Sequence, residues 1–310
     1  KAFNSPYLRL IKDFNFYYLP KSFSFRTEML REYNEMKLRN KSDNPIKIIP
    51  TFVKKWDWNR TYNIRFDLTR GLSLELNAQA DAFINEPPGS IDKSSEYYDE
   101  AAADTINVRD QILGLGTMNR YTQNFNANYK VPIDKLPMLD WTGLTANYQA
   151  SYTWTASPLS IQQRLGNQIE NSNTIQLNGN LAFERLYNKS GYLKKLFRRG
   201  SRGGQRPGTP GGRRNMNIAS QDQPQEEEEA DTTKQRPNYF KIIGEEMLRI
   251  LLSVKKATIT YSESNGTVLP GFMPEPDLLG NSLGSTWAPG IGFAFGSQKD
   301  IRYDAVDNGW

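Results

Sequence analysis

The sequence predicts an all-β fold, a fragment of the wall of a large antiparallel transmembrane β-barrel with long loops and a short amphipathic helix. Three observations carry this. Apolar and polar residues alternate over runs of about nine or more, enough for a strand to cross a bilayer and longer than the five or six usual in soluble sandwiches. Aromatic residues gather near the ends of those runs, as they do in the girdles that flank a barrel's apolar band. No stretch approaches the roughly eighteen consecutive apolar residues of a spanning helix, and the densest short run, Ile250 to Val254, is broken by Ser253. A mean hydropathy of −0.68 does not oppose the reading, because lumen-facing and lipid-facing residues alternate and cancel in any window average.

Phe23, Phe25 and Met29 suggest a first strand. From Trp56 to Leu68 the alternation is clearest: Trp56, Trp58, Tyr62, Ile64, Phe66 and Leu68 share one parity, while Asp57, Asn59, Thr61, Asn63, Arg65 and Asp67 share the other. After the turn Thr69-Arg70-Gly71, Leu72, Leu74, Leu76, Ala78 and Ala80 alternate with Ser73, Glu75, Asn77, Gln79 and Asp81, which completes a long hairpin. Tyr121, Phe125, Ala127, Tyr129 and Val131 oppose Thr122, Asn124, Asn126, Asn128 and Lys130. Leu144, Ala146, Tyr148, Ala150, Tyr152 and Trp154 oppose Thr145, Asn147, Gln149, Ser151 and Thr153. A further strand is expected from Ile175 to Tyr187, with Gln176, Asn178 and Asn180 on its polar side, and another around Ala257, Ile259 and Tyr261.

The connections complete the expected organisation. Residues 1–22 form a leading linker, and 23–187 hold barrel strands with an inserted loop at 83–118. An insertion follows over 188–252. Within it, residues 198–236 are Gly, Arg, Ser and Pro followed by Glu226 to Glu229, a composition too polar to bury a core and expected to be disordered. At about 239–252, Phe240, Ile243, Met247, Leu248, Ile250 and Leu251 fall near helical spacing and predict a short amphipathic helix. Residues 253–310 return to a strand and a loop segment. The chain starts at Lys1 without a charged and then apolar leader, and is read as either a mature product or an excised fragment, the fragment being favoured.

Cysteine and histidine are both absent. No disulfide framework, thiolate metal site or cysteine nucleophile is available, and the usual general base near neutral pH is missing. The net charge of +5 is modest and much of the basic excess sits in one tract. That tract (Arg198, Arg199, Arg202, Arg206, Arg213, Arg214) has the composition of RNA-binding Arg/Gly segments, but it holds no stacking aromatics and an acidic block follows, so a solvated insertion is the better account. Gly114-Leu115-Gly116 lacks the third glycine and the strand-then-helix setting of a phosphate loop. Asp99, Glu100 and Asp104 lie in a polar loop, where a solvated face outweighs a cation site or an acid-base pair. The glycosylation-type triplets at Asn59, Asn188 and Asn265 carry no weight, the first being in mid-strand. Catalytic residues, cofactor and metal are therefore all expected to be none.

The alternation instead assigns two surfaces. Lipid-facing residues are Trp56, Trp58, Tyr62, Ile64, Phe66, Leu68, Leu72, Leu74, Leu76, Tyr121, Phe125, Tyr129, Tyr148, Tyr152 and Trp154. Lumen-facing residues are Asn63, Arg65, Asn77, Gln79, Asn124, Asn126, Asn128, Asn147, Gln149, Gln176 and Asn178. A half-buried soluble β-sandwich gives the same period of two, and strand length is what counts against it.

Several segments carry a more specific likeness. Phe16-Tyr-Tyr-Leu-Pro-Lys-Ser-Phe-Ser-Phe-Arg-Thr-Glu-Met29, Leu136-Pro-Met-Leu-Asp-Trp141, Leu177-Asn-Gly-Asn180 with Leu186-Tyr-Asn-Lys189, Tyr261-Ser-Glu-Ser-Asn-Gly-Thr267, Leu269-Pro-Gly-Phe272 and Trp287-Ala-Pro-Gly-Ile-Gly-Phe-Ala-Phe-Gly-Ser-Gln298 occur in this order. Together they resemble the SprA/Sov family, the outer-membrane translocon of the type IX secretion system of Bacteroidetes, over nearly the whole chain. The Arg/Gly and Glu-rich tract matches no motif of that family. The resemblance implies a very wide barrel in the bacterial outer membrane that passes folded cargo proteins from periplasm to cell surface, with plug or cap proteins and outer-membrane lipid as further partners. Nucleic acid is not an expected partner. A generic outer-membrane receptor or porin is the alternative, and a soluble carbohydrate-binding sandwich a more distant one. Strand parity adds one expectation: the connections at 69–71, 132–140 and 188–252 emerge on one side and those at 83–118 and 155–173 on the other, the first set in the periplasm because barrels keep their short turns there.

Overall fold

The computed structural model describes residues 15–39, 48–136, 138–192, 194, 244, 247, 248, 250, 252–284 and 287–310. Seven strands form one antiparallel sheet in the order β1 to β7, each strand beside its neighbours in sequence. They are β1 Ser22–Met36, β2 Thr51–Asp67, β3 Leu72–Phe83, β4 Thr117–Val131, β5 Thr142–Thr155, β6 Asn167–Leu181 and β7 Ala257–Phe272. The sheet is not closed, so β1 and β7 are its edges. With 12 to 17 residues each, the strands extend roughly 40 to 55 Å at about 3.3 Å per residue.

Sequence-adjacent pairing follows from the turns. Thr69 Oγ1 accepts from the N–H of Gly71 at 3.2 Å and of Leu72 at 3.0 Å, so a hydroxyl closes the β2–β3 hairpin. The Gly71 carbonyl then accepts from Lys130 N–H at 2.7 Å. A Cβ at Gly71 would stand 2.8 Å from the Lys130 carbonyl oxygen, so glycine is what lets β4 approach the hairpin this closely. Register is continuous across the first strands: Phe25 opposes Tyr62, Tyr62 opposes Ala78, Leu74 opposes Ala127 and Ala127 opposes Tyr148. One irregularity interrupts β3 against β4, between Asp81 and Ala82.

Short helices fill the connections. In 84–116 lie α1, Glu100–Thr105, and α2, Val108–Leu113. Asp99 caps α1, its carboxylate accepting from Ala102 N–H at 2.9 Å, which gives that residue of the acidic cluster a local structural task. Gly114-Leu115-Gly116 ends α2, with Leu115 and Gly116 at positive φ, and leads into β4. Between β5 and β6 sits α3, Leu159–Leu165.

The sixth strand differs from expectation. It starts eight residues earlier than Ile175 and stops at Leu181, and Phe183–Lys189 is a helix, α4. Phe183 and Tyr187 are four apart, a spacing that serves one helix face as well as one strand parity, and their rings stack at 6.1 Å with planes 14° apart. The disordered tract expected at 198–236 lies outside the described residues, as does most of the helix expected at 239–252; of the latter, Gly244, Met247, Leu248, Ile250 and Leu252 are helical.

Contacts divide the chain into two units. The smaller comprises residues 138–142 and 180–258. Within it the Trp141 carbonyl accepts from Ala182 N–H at 2.8 Å, the Trp141 and Phe183 rings lie 5.6 Å apart, and Lys189 pairs with Asp140. The larger comprises 1–137, 143–179 and 259–310. Its core sits against one end of one sheet face, where Ala78, Ala80, Tyr121, Tyr152, Trp154 and Ile169 meet Phe272, Ala288, Phe293, Ala294 and Ile301. We call residues 272–310 the strap; it contains the helices α5, Ile291–Ala294, and α6, Arg302–Asn308.

Candidate functional site

All the residues expected to line a lumen share one face. Asn63, Asn77, Asn124 and Ser151 are successive partners across β2 to β5, and so are Arg65, Glu75, Asn126 and Gln149. Asp67, Ser73, Asn128 and Asn147 form the next row. Several of its carboxylates are engaged locally: Asn77 donates to Glu75 at 3.2 Å, Gln79 to Asp81 at 2.9 Å, and Arg65 lies 3.5 Å from Asp67. Beyond β5 the lattice continues in hydroxyls and amides, with Ser151 and Ser172 at 2.7 Å, Thr174 and Ser264 at 2.9 Å, and Thr260 donating to Asn178 at 3.2 Å. A hollow of about 340 Å³ is lined by the hydroxyls and amides of Thr61, Asn77, Gln79, Thr122 and Asn124 together with Ala78, Asp81 and Arg120. Amides and hydroxyls of this kind can donate to and accept from water.

The opposite face is divided along its length. Near the β2–β3 turn, Phe23 and Phe25 of β1, Tyr62, Ile64 and Phe66 of β2, Leu72, Leu74 and Leu76 of β3, Phe125, Ala127 and Tyr129 of β4, Leu144 and Tyr148 of β5, Ile175 and Leu177 of β6, and Ile259 and Tyr261 of β7 share one parity. Phe23 is 64% exposed and Ile259 63%, so the band lies open at both sheet edges. Among the described residues there is one sheet, and no second sheet covers the band.

Toward the other end the same face is closed. Tyr152 and Trp154 are 0% exposed and Tyr121 7%, packed beneath the strap. The expectation that these three meet lipid is corrected by this: the strap's own apolar residues occupy the space in front of them. Trp58, also assigned to lipid, is buried beside Arg60, whose guanidinium lies 4.9 Å over its ring.

Amides on the otherwise apolar parity hold the strap by its main chain. Gln123 donates to the Ala294 carbonyl at 3.2 Å, Asn171 to those of Phe293 and Ser297 at 3.0 and 2.9 Å, and Asn173 to that of Gly296 at 2.6 Å. Tyr148 and Trp154 donate to the carbonyls of Phe295 and Pro274 at 2.5 and 2.9 Å. Gly296 has φ 89°, and a Cβ there would meet the Ala150 Cβ and the Tyr148 hydroxyl at 2.8 Å. The sequence reading missed this contact set. Its signal was present as exceptions, since Arg60, Gln123, Asn171 and Asn173 interrupt apolar parities.

Among the described residues no cluster of acidic side chains has the geometry to hold a metal ion, and no helix is long and apolar enough to cross a membrane. No protein-family model matches the chain, and no curated protein matches it significantly.

Proposed function

We propose that this chain is part of the wall of an outer-membrane β-barrel that conducts proteins, as the resemblance to the SprA/Sov translocons implies. The observation that carries the reading is an apolar band that no second sheet covers among the described residues, mostly half-buried on β2 to β5 and exposed on β1, β6 and β7, backed by a face of amides and hydroxyls. A water-exposed band of this extent is costly for a soluble protein and favourable against lipid. A sandwich would bury it beneath a second sheet.

In this reading the chain performs no covalent chemistry and needs no cofactor. Folded cargo passes along the hydrated face from periplasm to cell surface, lipid wets the band, and plug or cap proteins close the conduit. The unpaired edges of β1 and β7 are where neighbouring strands of the complete barrel continue the ladder. Consecutive antiparallel strands put the connections after β2, β4 and β6 on one side, and in this reading that side is the periplasm, because barrels keep their short turns there. The test is paired substitution in the complete protein. Phe66→Arg on the band should cost on the order of 1 to 4 kcal/mol according to its depth in the bilayer and Asn126→Arg on the other face close to nothing; equal losses in membrane assembly at both positions would refute the assignment.

A further inference from the structure

Beside the β2–β3 turn, residues 16–21 fold back over the polar face and enclose a groove of about 810 Å³. The overhang is fixed by its main chain, with Tyr17 N–H donating to the Leu68 carbonyl at 2.9 Å and Lys21 N–H to the Arg65 carbonyl at 2.7 Å. Asn15 braces it, donating to the Tyr17 hydroxyl at 2.8 Å and accepting from Arg70 N–H at 3.3 Å. This position is therefore built before any ligand arrives, which lowers the ordering cost of binding.

Two chemistries face each other across the groove. One wall is Phe16, Tyr17, Tyr18 and Leu19, all exposed. The sheet side brings Lys21, Arg65, Arg70 and Lys130 against a single carboxylate, Asp67. Asp67 is shared by Lys21 at 2.6 Å and Arg65 at 3.5 Å, and among the described residues Arg70 and Lys130 have no carboxylate partner. The remaining floor is Ser73, Asn128 and Thr145, which offers both donors and acceptors.

We infer that this groove binds an extended acidic peptide segment bearing aromatic or aliphatic side chains, a proposal that rests on the polar face being the lumen. Its carboxylates pair with Lys130 and Arg70, its apolar side chains lie on Phe16 and Tyr18, and its main chain bonds to the floor. Aromatic and arginine side chains are the groups that dominate binding at protein surfaces. A nucleic-acid strand would meet the same cations and rings, but its backbone carries acceptors only and could not donate to the acceptors of the floor as a peptide N–H does. Being at the turn end, the groove lies at the periplasmic mouth in the proposed orientation, where a protein entering the conduit, or one closing it, would first touch the wall.

The test uses the complete protein in detergent micelles and dye-labelled peptides of about six residues, roughly 20 Å when extended, alternating Asp with Phe or Lys with Phe. Fluorescence anisotropy should give at least about tenfold tighter binding of the Asp peptide, and Lys130→Glu with Arg70→Glu should remove or reverse that preference. Tyr18→Ala should weaken both peptides severalfold with the Asp preference kept. Equal binding of the two peptides overturns the proposal, as does unchanged binding in the charge variants. Competition by inorganic phosphate or a short thymidine oligonucleotide as effective as the Asp peptide overturns it too. If the charge variants do not fold, the comparison of peptides on the unaltered protein and the Tyr18→Ala result still decide. A protein that passes the Phe66→Arg and Asn126→Arg test but binds neither peptide refutes the groove alone.

Discussion

The two ends of one sheet face have the same alternation and opposite fates. At the turn end, Ile64, Phe66, Leu72 and Leu74 project from their strands with no other part of the described chain forming a layer over them. At the far end, Ala78, Ala80 and Ala150 lie beside Tyr121, Tyr152 and Trp154, and the strap fills the relief between small and large residues. Side-chain volume and polarity separate the ends where parity does not. At the turn end large residues predominate, with Ala127 and Ala146 as isolated gaps among them. At the far end alanines interleaved with aromatics make a recess for a covering segment, and amides at Gln123, Asn171 and Asn173 supply donors for a main chain without regular strand pairing.

The largest expected effect lies at the covered end. Trp154→Ala removes a fully buried ring and a hydrogen bond to Pro274, and should cost about 3 to 5 kcal/mol. Gly296→Ala should release the strap as well, since the new methyl has no room and φ is positive. Limited proteolysis followed by mass spectrometry should find cleavage within 272–310 in both variants and little in the parent; unchanged protection would mean that the strap is held from elsewhere.

At the open end the expected penalty depends on lipid. Leu74→Arg should destabilise the protein in vesicles by about 2 to 4 kcal/mol, while Asn77→Arg, three residues further along β3 on the other face, should stay within about 0.5 kcal/mol. Denaturant titration in vesicles reads both. A comparable loss at Asn77 would erase the distinction between the faces.

Asn171→Ala comes next. It strips donors from two strap carbonyls and an acceptor from Gln298, at a cost of about 1 to 3 kcal/mol when those groups stay buried. Hydrogen exchange near Phe293 and Ser297 should accelerate while the amides of β2 and β3 stay protected. Acceleration throughout the sheet would make the strap part of one cooperative unit with it.

How much of this was legible follows from the same contrast. Period two gave β2 to β5 because each has one apolar parity, and it gave the polar face residue by residue. β1 runs on to Met36 through Arg26, Glu28, Arg31 and Glu32, charges on both parities that leave no alternation to read. The strap was not legible because it lacks regular periodicity, and its recognition depends on where distant strands bring Gln123 and Asn171 together. The exceptions were informative all the same: an amide on an apolar parity has to find a partner if it is buried, and here the partner is main chain.

The smallest expected effect concerns the far end of the strap. Asp300 accepts from the Arg302 guanidinium at 2.7 to 3.1 Å and from its N–H at 3.0 Å, just before α6. The Arg302 side chain first, and then its backbone N–H, pull the Asp300 carboxyl down to about 2. Because this lies below the unfolded value of about 4, the contribution is complete above that pH and is lost as pH falls through about 2. Both groups are exposed, so water screens the pair. Asp300→Asn should therefore raise strap proteolysis at neutral pH by less than about twofold, and a carboxyl titration followed by NMR should lose one resonance that titrates near 2. A large increase in cleavage would mean that α6 anchors the strap, and would move the weight of the closed end from the Phe293 and Trp154 packing to its terminus.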